Sequence, residues 1–131
     1  MAAAESYPDD VRYHPEHDWA RIEGDEATLG VTWFAQDALG ELVHYEPPEL
    51  GAALTKDATY GEVESVKAVS EVVAPLSGEV IEVNQKVVEA PETVNDDPYG
   101  DGWLVRIRLT DPSEVDSLLD LDGYRHVLAE Q

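Results

Sequence analysis

The chain has 131 residues and a net charge of −21, from 29 acidic side chains against eight lysines and arginines. This length is that of one ordinary domain, which can bury a core without metals or disulfides. So acidic a chain excludes nucleic acids and anionic membranes as partners, because both would repel it. There is no cysteine, so any sulfur chemistry would have to come from a cofactor.

Residues 1–12 are predicted to form a flexible N-terminus, since they combine small residues, a proline and an acidic pair. They contain neither a basic region nor a long apolar run, so no secretory signal is predicted, and no later stretch is apolar enough to span a membrane. We expect a cytoplasmic protein, or one of the mitochondrial matrix if the source is eukaryotic and the chain is already processed. Residues 13–131 are predicted to form a single domain.

The first regular elements are a hairpin and a helix. Two short apolar runs around residues 23–26 predict a β-hairpin over residues 19–31. Thr32 has the side chain of an N-cap, and the apolar spacing after it predicts a short helix over residues 33–39. Gly40 can end this helix in the left-handed conformation.

Alternating apolar and polar residues then predict a series of strands. The candidate strands cover residues 42–45, 60–64, 69–73, 79–83 and 103–109, and residues 89–102 are predicted to be a loop. Residues 40–43 also resemble residues 78–81, which suggests two similar halves. Many short strands with frequent turns are typical of a sandwich or flattened barrel of antiparallel sheets.

The C-terminal segment is predicted to be helical. Thr110 or Asp111 would cap a helix that has Pro112 in its first turn. Gly123 is predicted to end this helix, with a further turn or two over residues 124–128.

One lysine stands out by its position between two predicted strands. Lys67 would lie at the tip of a hairpin, with its flexible stem and nucleophilic amine in water. An ordinary exposed lysine in a turn would have the same local pattern.

The sequence around this lysine resembles the lipoylation segment of the glycine cleavage system H-protein family. The match begins with residues 61–71, continues through residues 74–80 and extends in order from about Tyr13 to Leu128. Other matching runs are His17-Asp18-Trp19, Gly30-Val31-Thr32, Asp97-Pro98-Tyr99-Gly100 and Leu118-Leu119-Asp120. The resemblance implies that Lys67 carries a covalent lipoate, within an attachment motif formed by Glu64, Ser65, Val66 and Ala68. It also implies a lipoyl/biotinyl-type sandwich with an added N-terminal hairpin and C-terminal helices.

The family resemblance implies a non-catalytic, monomeric carrier. Such a carrier takes an aminomethyl group from the glycine decarboxylase (P-protein) to the aminomethyltransferase (T-protein), and passes electrons to the dihydrolipoyl dehydrogenase (L-protein). A lipoate-attaching enzyme would be a further partner. In the family a surface groove holds the loaded arm, and Asp18 and the helix that begins Trp33-Phe34 are candidates for it. Both positions depart from the family pattern, as does the strand over residues 42–46.

Three other interpretations remain open from the sequence. The chain could be a lipoyl scaffold used in lipoate relay to other enzymes, a lipoyl or biotinyl domain of a larger enzyme, or an acidic module that is never modified. The acidity fits both a solvated shell and steering toward basic partners.

No nucleophile motif or phosphate loop is found. Pro15 separates His14 from His17, so no metal site is expected.

Overall fold

The computed structural model describes residues 3–131, and this part of the chain contains nine strands. They are β1 (Arg12–His14), β2 (Asp18–Glu23), β3 (Glu26–Val31), β4 (Leu42–Glu46), β5 (Ala53–Leu54), β6 (Thr59–Ser65), β7 (Val69–Val73), β8 (Gly78–Val83) and β9 (Val105–Leu109). The α-helices are α1 (Trp33–Leu39), α2 (Gln85–Glu89), α3 (Thr93–Asp96) and α4 (Leu121–Ala129), with a 3₁₀ helix over Pro112–Ser117.

The strands form two antiparallel sheets that enclose one main core. The six-stranded sheet has the order β1-β2-β3-β9-β8-β5, and the three-stranded sheet has the order β4-β6-β7. Both sheets turn alternate side chains inward, as Leu29 and Ile107 do in the larger sheet and Tyr45 and Val63 in the smaller. The predicted sandwich of two antiparallel sheets is confirmed, and the sheets stay separate instead of closing into a barrel.

The predicted hairpin and the first helix are both confirmed. Strands β2 and β3 pair over their full lengths within the range 18–31. Helix α1 has the predicted bounds, and Thr32 Oγ1 accepts a hydrogen bond from the Ala35 N–H at 3.3 Å. Gly40 follows with a φ of 84°, in the left-handed region where a residue with a Cβ is strained.

The remaining strand predictions are close, and the loop prediction is partly wrong. β4, β6, β7 and β8 match their predicted ranges to within a residue at each end, whereas β9 starts at Val105, two residues later than predicted. Within the predicted loop of residues 89–102 the chain forms α3. Strands β1 and β5 were not predicted because two or three residues are too short to show a periodic pattern.

The two resembling segments each pair antiparallel with the corresponding later strand, although β4 is an edge strand and β8 lies inside its sheet. β4 pairs antiparallel with β6 in the smaller sheet, and β8 pairs antiparallel with β9 in the larger. The weak repeat therefore corresponds to two similar strand pairs, one in each layer of the sandwich.

The C-terminal segment differs from its prediction. The first helix is a 3₁₀ helix capped by Asp111, and the chain then extends so that Leu119 exchanges two backbone hydrogen bonds with Tyr13, both 2.8 Å long. Helix α4 starts only after this pairing, with Asp120 as its N-cap accepting from the Gly123 N–H at 2.8 Å. The prediction that Gly123 ends a helix is wrong, because this residue lies in the first turn of α4.

The segment before β1 lies against the domain where it is described. Ala3 donates to the backbone oxygen of Asn95 at 2.9 Å and accepts from the Trp33 indole N–H at 2.8 Å. Residues 1 and 2 of the predicted flexible segment lie outside the described residues, and the division at residue 12 stays a prediction. Every helix formed by residues 3–131 is too short or too polar to serve as a membrane span.

A second apolar cluster fixes the start of α1. Tyr124 of α4 stacks on Tyr13 with ring centroids 4.4 Å apart. Its hydroxyl lies 2.8 Å from both His17 Nδ1 and Thr32 Oγ1. The C-terminal helix thus holds the N-cap of α1 against the N-terminal hairpin, and α1 in turn supports the site described next.

Candidate functional site

The candidate site is the turn between β6 and β7. Along β6 the buried side chains of Tyr60 and Val63 alternate with exposed glutamates, so one face of this strand lies in the core and the other in water. The last paired residues are Glu64 and Val69. Lys67 lies in the turn beyond them and is exposed, at the tip of the smaller sheet.

The turn is held by the side chain of Ser65. Its hydroxyl oxygen accepts from the backbone N–H groups of Lys67 at 3.3 Å and Ala68 at 3.1 Å. Its backbone N–H donates to the Ala68 oxygen at 2.8 Å. Ser65 is only 5% exposed, so its hydroxyl satisfies donors that the short turn would otherwise leave unpaired. Ser65 therefore positions the backbone of Lys67.

The stem of Lys67 lies over the end of α1. A Cβ added to Gly40 would be 3.6 Å from Lys67 Cε, so the lysine stem lies near the C-terminus of α1. Lys67 makes none of the ion pairs formed among residues 3–131, whereas Lys56 and Lys86 each pair with an aspartate. An exposed amine on a flexible stem fits a covalently attached acyl group such as lipoate.

The other members of the predicted motif have different surroundings. Glu64 points outward from β6, and Ala68 is exposed in the turn. Val66 is 81% exposed, which is unusual for an apolar side chain. The structure thus brings all five motif residues to one tip, with Ser65 inward and the other four side chains in solvent.

A cavity of about 270 Å³ opens beside Gly40. Besides this glycine, its lining consists of the amides of Gln36 and Asn95 and the carboxylates of Asp37, Glu41, Glu92 and Asp96. Such a lining favours a protonated amine over an anion. Sequence spacing gave no indication of this cavity, because its lining comes from α1, α3 and the segments beside them.

Asp18 does not line an open groove, so this prediction from the sequence is wrong. Its side chain is 2% exposed. Burial raises the pKa of the Asp18 carboxyl well above its ordinary value of 3.8, against the opposing effect of a hydrogen bond from the Val73 backbone N–H. This bond joins β2 of the larger sheet to the end of β7 in the smaller.

The two aromatic residues at the start of α1 have structural contacts. The Trp33 backbone N–H donates to the Tyr99 hydroxyl at 2.9 Å, and the ring of Phe34 packs on His17 at 4.4 Å between centroids. The two histidines on either side of Pro15 have separate partners. His14 Nε2 lies 2.7 Å from an Asp57 carboxylate oxygen, whereas His17 Nδ1 lies 2.8 Å from the Tyr124 hydroxyl. Among residues 3–131 no three potential metal-ligating side chains cluster.

Comparison with known proteins gives one consistent family. Residues 11–131 match the family described as Glycine cleavage H-protein. The chain is 49% identical over 117 residues to the glycine cleavage system H protein of Symbiobacterium thermophilum, covering 89% of this chain and 91% of that protein. It is 50% identical over 118 residues to the probable H protein of Haloarcula marismortui, with coverage of 90% and 93%. The crystal structure of the glycine cleavage system H protein from Mycobacterium marinum superposes with a TM-score of 0.87 at 38% identity, covering 94% of this chain and 99% of that one.

Proposed function

The chain belongs to the glycine cleavage H-protein family, and from this premise we propose that it is a non-catalytic carrier with a lipoyl group bound covalently to Nζ of Lys67. The family carries lipoate and serves the glycine cleavage system. What supports the attachment site is the isolation of the Lys67 amine in an exposed turn whose backbone is held by Ser65. Lys56 and Lys86 are held by Asp57 and Asp101 at 3.1 and 2.8 Å.

Attachment requires the Lys67 amine to lose a proton and form an amide with an activated carboxyl carbon, which releases the activating group. The exposed turn lets an enzyme enclose this amine without opening the core. When bound, the lipoyl group supplies a dithiolane whose sulfur can accept an aminomethyl group. The chain contributes reach and a high local concentration of that sulfur at each partner enzyme.

The partners in this proposal are the three enzymes of glycine cleavage. The P-protein loads the aminomethyl group, the T-protein removes it, and the L-protein takes up the electrons of the reduced arm. The carrier itself needs no catalytic residue, because each enzyme brings its own cofactor or active site to the arm.

Intact-mass measurement tests the attachment site. The purified chain, treated with a lipoate-attaching enzyme, lipoate and ATP, should gain one lipoyl adduct. Lys67→Arg should gain none, because a guanidinium remains charged and is a poor nucleophile. Its melting temperature should be unchanged, since the side chain is exposed. Lys56→Arg and Lys86→Arg are the matched controls and should load normally.

An adduct on Lys56 or Lys86, or no adduct on the unaltered chain, would exclude the proposal. Carriage is tested separately by adding the loaded chain to the three purified enzymes with glycine. The loaded chain should restore glycine cleavage, and Lys67→Arg should not. A chain that loads normally but does not restore cleavage would favour the relay scaffold instead.

A further inference from the structure

Apolar side chains are exposed around the turn that holds Lys67. Four large apolar side chains of residues 3–131 are strongly exposed, and three of them are Val43 (47%), Val66 (81%) and Val69 (58%). Val66 lies in the turn, Val69 is opposite Glu64, and Val43 lies in the β4 bulge beside it. Neighbouring strands are about 5 Å apart, so Val43 and Val69 flank the end of β6 about 10 Å from each other. We call these three residues the valine patch.

The same face of the smaller sheet carries a row of carboxylates. Glu46 is directly opposite Glu62, and Glu62 is directly opposite Glu71, so three exposed glutamates lie side by side across β4, β6 and β7. Like charges in such positions destabilise a sheet. Among the ion pairs of residues 3–131 only Glu46 of this row has a partner, the imidazole of His44 at 3.1 Å. We call these three residues the glutamate row.

In the larger sheet, arginine side chains pair with several glutamates. There Arg106 pairs with Glu26 at 2.8 Å and with Glu82 at 3.2 Å, and Arg108 pairs with Glu79 at 3.5 Å. A uniformly acidic shell that served solubility alone would not distinguish the two sheets. The glutamate row, which pairs with no arginine or lysine among the described residues, lies on the face of the smaller sheet that bears the valine patch.

We propose that this face docks the enzyme that acylates Lys67, an inference that rests on the proposed function. The matching enzyme surface has an apolar depression for the valine patch, bordered by lysine or arginine side chains that pair with the glutamate row. An enzyme acting on the bare amine has only the four-carbon stem of Lys67 between its active site and the turn. Its surface must therefore meet the turn and the face behind it. Enzymes that act on the end of the loaded arm work farther from the backbone.

The test measures the steady-state rate of lipoate attachment to the full chain by a purified lipoate-attaching enzyme at several salt concentrations. Glu62→Gln combined with Glu71→Gln should lower kcat/KM at low salt about tenfold, mainly through KM, and flatten its salt dependence. Glu89→Gln combined with Glu130→Gln removes the same charge from exposed positions off this sheet. This control should change kcat/KM less than about twofold.

The valine patch is tested by Val43→Thr combined with Val69→Thr, which keeps the side-chain shape and β-branching. This variant should lower kcat/KM several-fold and leave the salt dependence unaltered. Leu50→Thr is the control, because Leu50 is 69% exposed outside the patch. The melting temperature of each variant is measured as well and should show that the fold is retained.

Docking on this face is excluded if both double variants load at the rate of the unaltered chain. It is also excluded if kcat/KM falls as much in the Glu89 and Glu130 control as in the glutamate-row variant. These results differ from failure of the proposed function, in which the unaltered chain itself gains no adduct on Lys67. A variant that loads normally but transfers poorly in glycine cleavage would also overturn the proposal, since the face would then serve another enzyme.

Discussion

Burial strongly raises the pKa of Asp18 in this acidic chain. Asp18 is the only acidic side chain among residues 3–131 that is buried. The Val73 N–H donates to it, and its charge acts on the buried Tyr60 hydroxyl, which has no hydrogen-bond partner in the described part of the chain. Burying a charged group without a cation is costly, and this cost raises the pKa of the Asp18 carboxyl in the folded state.

This burial makes a pH-dependent contribution to stability. The unfolded carboxyl titrates near 3.8, whereas burial raises the pKa of Asp18 in the folded state well above that value. Between the two pKa values the folded state binds more protons, so the free energy of unfolding falls as pH rises. Asp18→Asn removes this loss, because asparagine does not ionise. The stability of the variant relative to the unaltered chain should increase as the pH rises above about 4, the range in which the unfolded carboxyl loses its proton.

Urea unfolding at several pH values measures the effect. Asp37→Asn is the charge-matched control, because Asp37 is exposed on α1. Both variants lose one negative charge, so a difference between their pH profiles reports the effect of burying the carboxyl. Identical pH profiles for the two variants would contradict a raised pKa of the buried Asp18 carboxyl.

At the scale of elements, the β6–β7 hairpin is the unit that presents Lys67. Its strands are stabilised by their hydrogen-bonded pairing and by burial of Tyr60 and Val63 in the core. Its turn is held by the Ser65 hydroxyl and by the backbone hydrogen bond from the Ser65 N–H to the Ala68 oxygen, and the Lys67 stem lies near Gly40 at the end of α1. The hairpin tip is therefore ordered by few interactions, and one substitution can remove those made by the Ser65 hydroxyl.

Ser65→Ala should loosen the turn while leaving the strands intact. It removes the acceptor for the Lys67 and Ala68 N–H groups and should lower the free energy of unfolding by about 1 kcal/mol. The rate of lipoate attachment should fall, since the amine would no longer be presented in one geometry. Urea unfolding and the loading assay measure the two effects. Ser70→Ala, on β7 of the same hairpin, is the control, and equal behaviour of both variants would refute the role given to Ser65.

At the scale of the whole molecule, the charge is distributed unevenly. The net charge of −21 is partly neutralised on the larger sheet by Arg106 and Arg108 and is not neutralised on the smaller sheet. Self-repulsion of this size disfavours a compact chain at low salt, and salt weakens it by shortening the range of the charges.

The melting temperature should therefore rise with sodium chloride between about 0.1 M and about 1 M, over which the screening length falls from about 10 Å to about 3 Å. Glu62→Gln combined with Glu71→Gln should melt higher at low salt and gain less from added salt, because it removes a like-charged cross-strand pair. Differential scanning calorimetry measures both. A flat or falling profile would mean that repulsion contributes little to stability.

The sequence by itself determined the elements that depend on neighbouring residues. Alternation of apolar and polar residues predicted β6, β7 and the turn that holds Lys67, because a half-buried strand requires that period. Thr32 and Gly40 predicted both ends of α1, because a cap is a local hydrogen-bond and backbone preference. The attachment motif and the family resemblance were equally visible in the sequence.

Only the tertiary structure decided the features that join distant segments. The pairing of Leu119 with Tyr13 extends the chain where a helix was predicted and delays α4 until Asp120. The burial of Asp18 and the approach of Gly40 to Lys67 likewise depend on how separate elements pack. The glutamate row exists only because strand register sets its members opposite one another. Sequence patterns describe what adjacent residues favour, whereas register and packing are set by contacts that no local pattern contains.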